Sequence, residues 1–198
     1  PLYHPEYMWP DLHVHWRDPS TGRGPSRYEQ GRVMGGGSSV NAMNANRPLP
    51  QDLAEWVAMG AKGWDWSDCL PYLNRLECDA NFTGEMHGAD GPIPIQRNPV
   101  EHWPPYARAS ADALADMGFP FIEDWNADFR DGLCHASMNI RNGERVSAAR
   151  AYLDAATRRR SNLTILCNSS VERILAAGAV ASGVAFRHQG VLHTVSAR

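Results

Sequence analysis

The sequence predicts an α+β fold in which helices and long loops precede a C-terminal antiparallel β-meander. Three observations lead there. Apolar residues recur at helical spacing in short stretches between Asp52 and Arg159. The chain has 17 Gly and 14 Pro among 198 residues, which demands many turns and irregular segments. After Ser161 the pattern changes to short apolar runs bounded by glycine.

The elements follow in order. Residues 1–30 hold Pro1, Pro5, Pro10, Pro19 and Pro25, which break any helix. This arm reads as extended chain, ordered by lying on another body. Gly31-Arg32-Val33-Met34-Gly35-Gly36-Gly37-Ser38-Ser39 is the densest glycine segment, and Val40 to Asn46 reads as the opening of a helix. Asp52 to Gly60 is a short helix with Leu53, Trp56 and Val57 on one face and Gly60 at its end. Ser67 is placed to cap a helix through Leu70, Leu73 and Leu76, with Pro71 in or just after its first turn.

Residues 78–104 form a loop punctuated by Gly84, Gly88, Gly91-Pro92 and Pro94, with a short strand at Ile93 and Ile95. Pro105 to Met117 is a helix striped by Tyr106, Ala109, Ala113, Leu114 and Met117, and Gly118 follows it. Asp124 to Gly132 is polar and irregular. Ser147 caps a helix over 148–159, whose terminal Arg158-Arg159-Arg160 suits the negative end of its dipole. The meander is expected as four strands: Leu163–Cys167, Val171–Leu175, Gly183–Phe186 and Val191–Val195, with turns at Gly178 and Gly190.

Charge and composition exclude some functions. Nineteen Lys+Arg against 22 Asp+Glu give a net charge of −3, without the basic surplus of a nucleic-acid-binding domain. Seven Trp, six Tyr and five Phe argue against an acidic disordered chain. No apolar run approaches the ~20 residues of a membrane helix. The four cysteines, Cys69, Cys78, Cys134 and Cys167, form no zinc pattern; Cys69 and Cys167, in apolar periodic segments, read as buried free thiols, and a reducing, cytoplasmic compartment is expected. There is neither an initiator Met nor a signal peptide, and the chain stops directly after a strand-like run. Both ends are therefore expected to be cut from something longer.

The glycine segment is the strongest local signal. Without Cβ atoms, its backbone can approach a phosphate or a planar ring closely. A flexible surface loop is the alternative. It is not a P-loop, because no Lys-Ser or Lys-Thr follows, and Gly22-Arg23-Gly24 lacks the third glycine of a dinucleotide fingerprint. Asn41 can serve a ligand, since its amide donates and accepts, or it can cap a helix start. Asp124, Asn126 and Asp128 alternate like a calcium loop, but Phe129 and His135 stand where Gly and Glu are required. No metal site is expected there, only a polar turn. His87, His102, His135, His188 and His193 read as surface or packing residues.

Several motifs agree in order. They are Gly31 to Met43 with Pro48 and Trp56 beyond; Gly63-Trp64-Asp65-Trp66 leading to Leu70-Pro71-Tyr72-Leu73-Asn74-Arg75-Leu76-Glu77; and His87-Gly88 with Gly91-Pro92-Ile93. Asn139 to Ser147, Ala151-Tyr152-Leu153 and Arg160 to Thr164 complete the set. Together they resemble the glucose-methanol-choline (GMC) oxidoreductase family, FAD-dependent alcohol oxidases and dehydrogenases that include choline dehydrogenase-like enzymes.

The resemblance implies a fragment of an α/β FAD-binding domain plus part of a substrate cap. It implies a flavin-covering loop and arm over 1–60, cap region over 61–146, and a helix plus meander of the FAD domain over 147–198. FAD contacts are implied at Val33, Gly35, Gly36, Gly37, Ser38, Asn41, Ala42, Met43 and Asn44, with Val171 offering backbone to the adenine. Val40 stands where a flavin-linking His occurs in some members, so non-covalent FAD is expected; Met34 replaces a more usual aliphatic residue. The implied activity is oxidation of a small alcohol: a His takes the proton and hydride passes to flavin N5. No residue here matches that His or the GxGxxG unit, so the chain alone is expected to be inactive and poorly stable. A hydroxynitrile lyase of the same family and a non-catalytic nucleotide- or partner-binding module are the alternatives. Substrate, electron acceptor and oligomeric state are left open.

Overall fold

The computed structural model describes residues 4–15, 22 and 24–197. The expectations attached to Pro1, Pro19 and Arg23 lie outside them. The chain divides into two compact units, Pro1–Asp154 and Ala155–Arg198.

The first unit opens with an arm that lies against the glycine segment. A 3-10 turn at Pro5–Tyr7 leads to Met8, which is buried and bridges Gly31. Trp9 N donates to Gln30 O, and the Arg32 guanidinium lies 5.0 Å from the Trp9 ring centre. Strands β1 (His13–Val14) and β2 (Ser26–Arg27) pair antiparallel.

Helix α1 spans Pro50–Ala58, with proline at its start, where no N–H is needed, and Gly60 at φ +107° after its end. Only Leu53 is buried; Trp56 and Val57, expected on the same face, are exposed. Helix α2 spans Trp66–Leu76. Asp65 rather than Ser67 caps it, accepting from Asp68 N at 3.0 Å. Carboxylates are strong caps, and the Ser67 hydroxyl is spent on Asp65 at 2.6 Å. The cap moves the start forward, so Pro71 falls inside the helix. Ser67, whose carbonyl lacks an i+4 partner there, is exposed to water.

Strand β3 (Glu77–Asp79) runs parallel to β4 (Ile93–Arg97), and β4 pairs antiparallel with β7 (Ser137–Met138). The strand expected at Ile93 and Ile95 is therefore the centre of a small mixed sheet. Helix α3 (Pro105–Asp116) starts where predicted and ends one residue early, with Met117 as its C-cap; it buries no residue, and Tyr106 and Met117 are exposed. Strands β5 (Phe121–Ile122) and β6 (Leu133–Cys134) pair in parallel, bracketing the Asp124–Gly132 turn. After β7 come β8 (Ile140–Arg141) and β9 (Glu144–Arg145), an antiparallel hairpin through Asn142 and Gly143 at positive φ. Helix α4 (Ala148–Tyr152) is capped by Ser147 as expected. It ends where Leu153 turns to φ −116°, ψ +52°, so the single helix expected over 148–159 is two.

The second unit starts with α5 (Ala155–Arg158) and continues into β10 (Ser169–Ala177), β11 (Val180–His188) and β12 (Val191–Ser196). They form an antiparallel meander in that order, turning at Gly178 and Gly190 with positive φ. The fourth strand expected at Leu163–Cys167 is absent: Leu163 N closes a turn onto Arg160 O, and Asn168 adopts φ +53° just before β10. Ala185 and Phe186 are buried in β11, with the Phe186 ring stacked on His193 at 5.4 Å. Val171, Ile174, Val180, Val191, Leu192 and Val195 are exposed.

Candidate functional site

The glycine segment forms a tight knot. The helix expected over 40–46 does not form; a 3-10 turn at Gly36–Ser39 takes its place, and the chain to Leu49 is irregular. Gly35 and Gly36 adopt φ +88° and +56°. That backbone path is closed to most side chains. A Cβ on Gly31 would lie 2.6 Å from Gly36 O, and one on Gly35 would lie 2.6 Å from Ser39 Oγ. These two glycines serve packing. Gly36 and Gly37 differ: a Cβ on either would meet nothing within 4 Å. Their backbone borders open space, which is what a loop lying against a flat ligand needs.

Local hydrogen bonds hold the knot. Gly36 N donates to Val33 O at 2.8 Å, Ser38 Oγ to Gly35 O at 2.6 Å, and Ser39 Oγ to Met34 O at 2.7 Å. Ala148 N, at the start of α4, donates to Ser38 Oγ at 2.9 Å. Val40 is buried, pointing an aliphatic chain inward.

Asn41 is fixed from two sides. Its Oδ1 accepts Met43 N at 3.0 Å and Arg145 Nη1 at 2.9 Å. Arg145 Nη1 also donates to Ser38 O at 3.0 Å, and Nη2 to Asn41 O at 2.6 Å. The helix-cap reading of Asn41 is thus replaced by an Asx turn within an irregular stretch. That turn carries Met43 at φ +65°, unusual for a non-glycine residue. Asn139 N donates to Met43 O at 2.9 Å, and exposed Asn44 bridges Met138. Ala42 is exposed as well.

Val33, Gly35, Gly36, Gly37, Ser38, Asn41, Ala42, Met43 and Asn44 all lie on this one stretch of chain in the first unit. Val171 lies in the second unit, exposed on β10 beside a β-bulge and paired with Phe186.

A buried polar network anchors the far end of this segment. Arg47 N donates to Asn126 Oδ1 at 3.1 Å, and Asn126 Nδ2 donates to Ala45 O at 3.0 Å. The Arg47 guanidinium donates to Glu77 Oε1 at 2.6 Å and Asn74 Oδ1 at 2.8 Å. Arg97 grips both Asp79 oxygens at 2.9 Å and Asp124 Oδ1 at 2.8 Å, with Phe82 4.6 Å from its charge centre. His87 sits among the carboxylates, its side chain 3% exposed, with Nε2 2.7 Å from Asp124 Oδ2. Its Nδ1 lies 3.4 Å from Glu77 Oε1 and 3.3 Å from Asp79 Oδ2.

Ligand atoms of Glu77, Asp79 and His87 converge within 4.8 Å of one another, as in a metal cage. Arg47 and Arg97 already bond the same Glu77 and Asp79 oxygens. Two guanidinia facing three carboxylates make this an ion-pair network. Sequence reasoning missed it. The available signals were His87-Gly88 and the Asp124/Asn126 alternation. Those residues form a turn, as expected, but Asp124 and Asn126 are buried rather than solvated.

Nearby Cys134, half-buried, has its thiol pKa pushed up by burial; Arg97 counters this and Asp124 adds to it. All four cysteines are free; Cys69 is half-buried, and Cys167, expected to be buried, is exposed because the strand expected at Leu163–Cys167 does not form. Among the described residues no helix is long and apolar enough to cross a membrane.

Comparison with known proteins matches a family model described as GMC oxidoreductase to residues 20–198. The chain is 44% identical over 182 residues to a 5-(hydroxymethyl)furfural oxidase of Methylovorus sp. (strain MP688), covering 90% of this chain and 34% of that protein. It superposes on pyridoxine 4-oxidase from Mesorbium loti with a TM-score of 0.83 at 33% identity, covering 96% of this chain and 37% of the other. An FAD-dependent oxidoreductase from Chaetomium thermophilum gives a TM-score of 0.82 at 26% identity, with 96% and 35% covered. The chain thus spans 34% of the length of that curated relative.

Proposed function

The chain belongs to the GMC oxidoreductase family, and from that premise we propose that it is the flavin-covering part of an FAD-dependent oxidoreductase acting on the CH–OH group of a small alcohol. One observation carries the reading: the open backbone at Gly36 and Gly37, beside an Asn41 whose amide is already oriented. That surface fits a flavin. FAD supplies the two-electron acceptor when bound. The residues of this chain do the rest of what is assigned to it: Gly36 and Gly37 admit a ring at backbone distance, Asn41 offers hydrogen bonding, and Met43 and Asn44 are assigned to the same ligand.

Val171 is assigned to the adenine through its backbone. Residues 1–60 are assigned to the flavin-covering loop and arm, 61–146 to the cap region, and 147–198 to the helix and meander of the FAD domain. Val40 offers no atom that could bond covalently to a flavin, which supports non-covalent FAD. The proton acceptor matches no residue of this chain, so the chain alone is assigned no activity. Four free thiols support a reducing compartment, the cytoplasm.

The test is purification of the full-length protein. One flavin per chain, released by acid precipitation, is expected, together with flavin reduction on adding 5-(hydroxymethyl)furfural or another primary alcohol. A colourless protein that neither retains nor takes up FAD overturns the reading.

A further inference from the structure

Arg145 lies 104 residues from Asn41 in sequence, yet spends its guanidinium on that residue and on Ser38. Its three bonds reach two backbone carbonyls and one side-chain oxygen. Each carbonyl belongs to the segment that borders the open space of Gly36 and Gly37. The Arg145 carbonyl is itself held by Arg150 Nη1 at 2.9 Å, which steadies the backbone the guanidinium hangs from.

The consequence for Asn41 is chemical. An amide presents an acceptor at one end and two donors at the other. Here the acceptor, Oδ1, is taken twice, by Met43 N and by Arg145 Nη1. Flipping the amide would set its NH2 group against two donors, so its orientation is decided by its neighbours. The NH2 end donates to no described residue. It is the one remaining hydrogen-bonding end of this side chain.

We propose that Arg145 is a positioning residue that locks the Asn41 amide with its NH2 group outward, making Asn41 a hydrogen-bond donor toward an acceptor edge of the bound ligand. The proposal rests on the flavin reading above for the identity of that ligand. The flavin ring offers carbonyl oxygens and ring nitrogens as acceptors, so a donor is the complementary group. The lock itself is a property of this chain.

The geometry distinguishes three substitutions. Asn41→Asp keeps shape and turns the Arg145 contact into an ion pair, so the loop stays closed while the outward donor becomes an acceptor. Arg145→Met keeps the length of the side chain and removes all three bonds. Arg145→Lys keeps the charge but not the fork.

The experiment uses the full-length protein and two readouts. Amide hydrogen exchange over residues 38–43 reads the lock without any ligand. FAD titration, followed by flavin fluorescence and the visible absorption spectrum, reads the donor. Arg145→Met is expected to raise exchange over 38–43 and weaken FAD affinity about tenfold, with Arg145→Lys recovering only part of each. Asn41→Asp is expected to leave exchange as in the parent, weaken FAD about tenfold or more, and shift the visible spectrum.

Unchanged exchange in Arg145→Met overturns the lock. Parental FAD affinity and spectrum in Asn41→Asp overturn the donor. A parent protein that binds no FAD, with the exchange result intact, fails the flavin reading and leaves the Arg145 lock standing. If Arg145→Met does not fold, the Asn41→Asp and Arg145→Lys results decide.

Discussion

His87 Nε2 lies 2.7 Å from Asp124 Oδ2, tying the turn after β3 to the turn between β5 and β6. The same Asp124 accepts from Arg97 at its other oxygen, at 2.8 Å. One buried carboxylate thus joins three segments, and the network it belongs to reaches Arg47, just beyond the glycine segment. Its carboxylates are paired with guanidinia, while Arg47 Nε and Nη1, Arg97 Nε and His87 Nδ1 are buried without a hydrogen-bond partner among the described residues, so little is left to replace a lost charge.

Arg97 is the member with most to lose. Its side chain is 4% exposed, and removing it strips the donor shared by both Asp79 oxygens and a partner from Asp124. Arg97→Ala is expected to lower the stability of the first unit by about 3–5 kcal/mol, because two buried carboxylates are left short of positive charge. Urea unfolding followed by tryptophan fluorescence measures it. A loss below about 1 kcal/mol would show that the network relaxes to admit water.

Gly88 is held as closely as the ions. A Cβ there would collide with the Asn74 carbonyl and lie 2.6 Å from Glu77 O. Both neighbours are backbone, so neither can swing aside. Gly88→Ala is expected to cost about 3 kcal/mol. Gly24→Ala meets nothing within 4 Å at an ordinary φ, and it is expected to fall within about 0.5 kcal/mol of the parent. Equal unfolding midpoints for the two variants would refute the packing argument.

These two cases show what the sequence could and could not disclose. Helices α1, α2 and α3 were legible because apolar spacing, proline starts and glycine stops are local. The meander was legible because Gly178 and Gly190 punctuate it. The extra strand at Leu163–Cys167 was over-read: apolar β-branched runs mark strands only when a neighbour pairs with them. The glycine segment was legible as a path that needs glycine, with Gly35 and Gly36 at positive φ, but the helix expected after it does not form. Nothing in the local pattern of 40–46 reveals that Asn41 Oδ1 is claimed by Arg145 from so far along the chain. The ion network was illegible for the same reason: Arg47, Glu77, Asp79, His87, Arg97 and Asp124 are scattered, and charged residues are ordinarily solvated.

The cap of α2 gives a pH dependence of known sign. Asp65 accepts from the Ser67 hydroxyl and from Asp68 N, and these bonds hold its pKa below the ordinary 3.8. A carboxyl depressed in the folded state adds stability that is fully present above its unfolded value and is lost as pH falls through its folded value. Asp65→Asn keeps an amide oxygen for the cap but removes the charge. The parent is therefore expected to be the more stable above pH about 4 and to lose that advantage below it. Urea midpoints of both proteins, compared at neutral and acidic pH, cancel every other titrating group. An advantage that persists in acid contradicts the assignment.

The cysteines offer a check on burial in the first unit against exposure in the second. Cys134 is half-buried on β6, and burial pushes its thiol pKa above the ordinary 9.0 despite nearby Arg97. Cys167 is exposed. Alkylation needs the thiolate and access to it, and Cys134 is short of both. Iodoacetamide at mildly alkaline pH is expected to label Cys167 first and Cys134 at least about tenfold more slowly, as read by peptide mass spectrometry. Arg97→Ala removes the group that holds the Cys134 pKa down, but it also opens the network around that thiol and relieves its burial, the larger effect; Cys134 labelling is expected to speed while Cys167 keeps its rate. Cys134 labelling as fast as Cys167 in the parent would mean that the β5–β6 pair is open in solution.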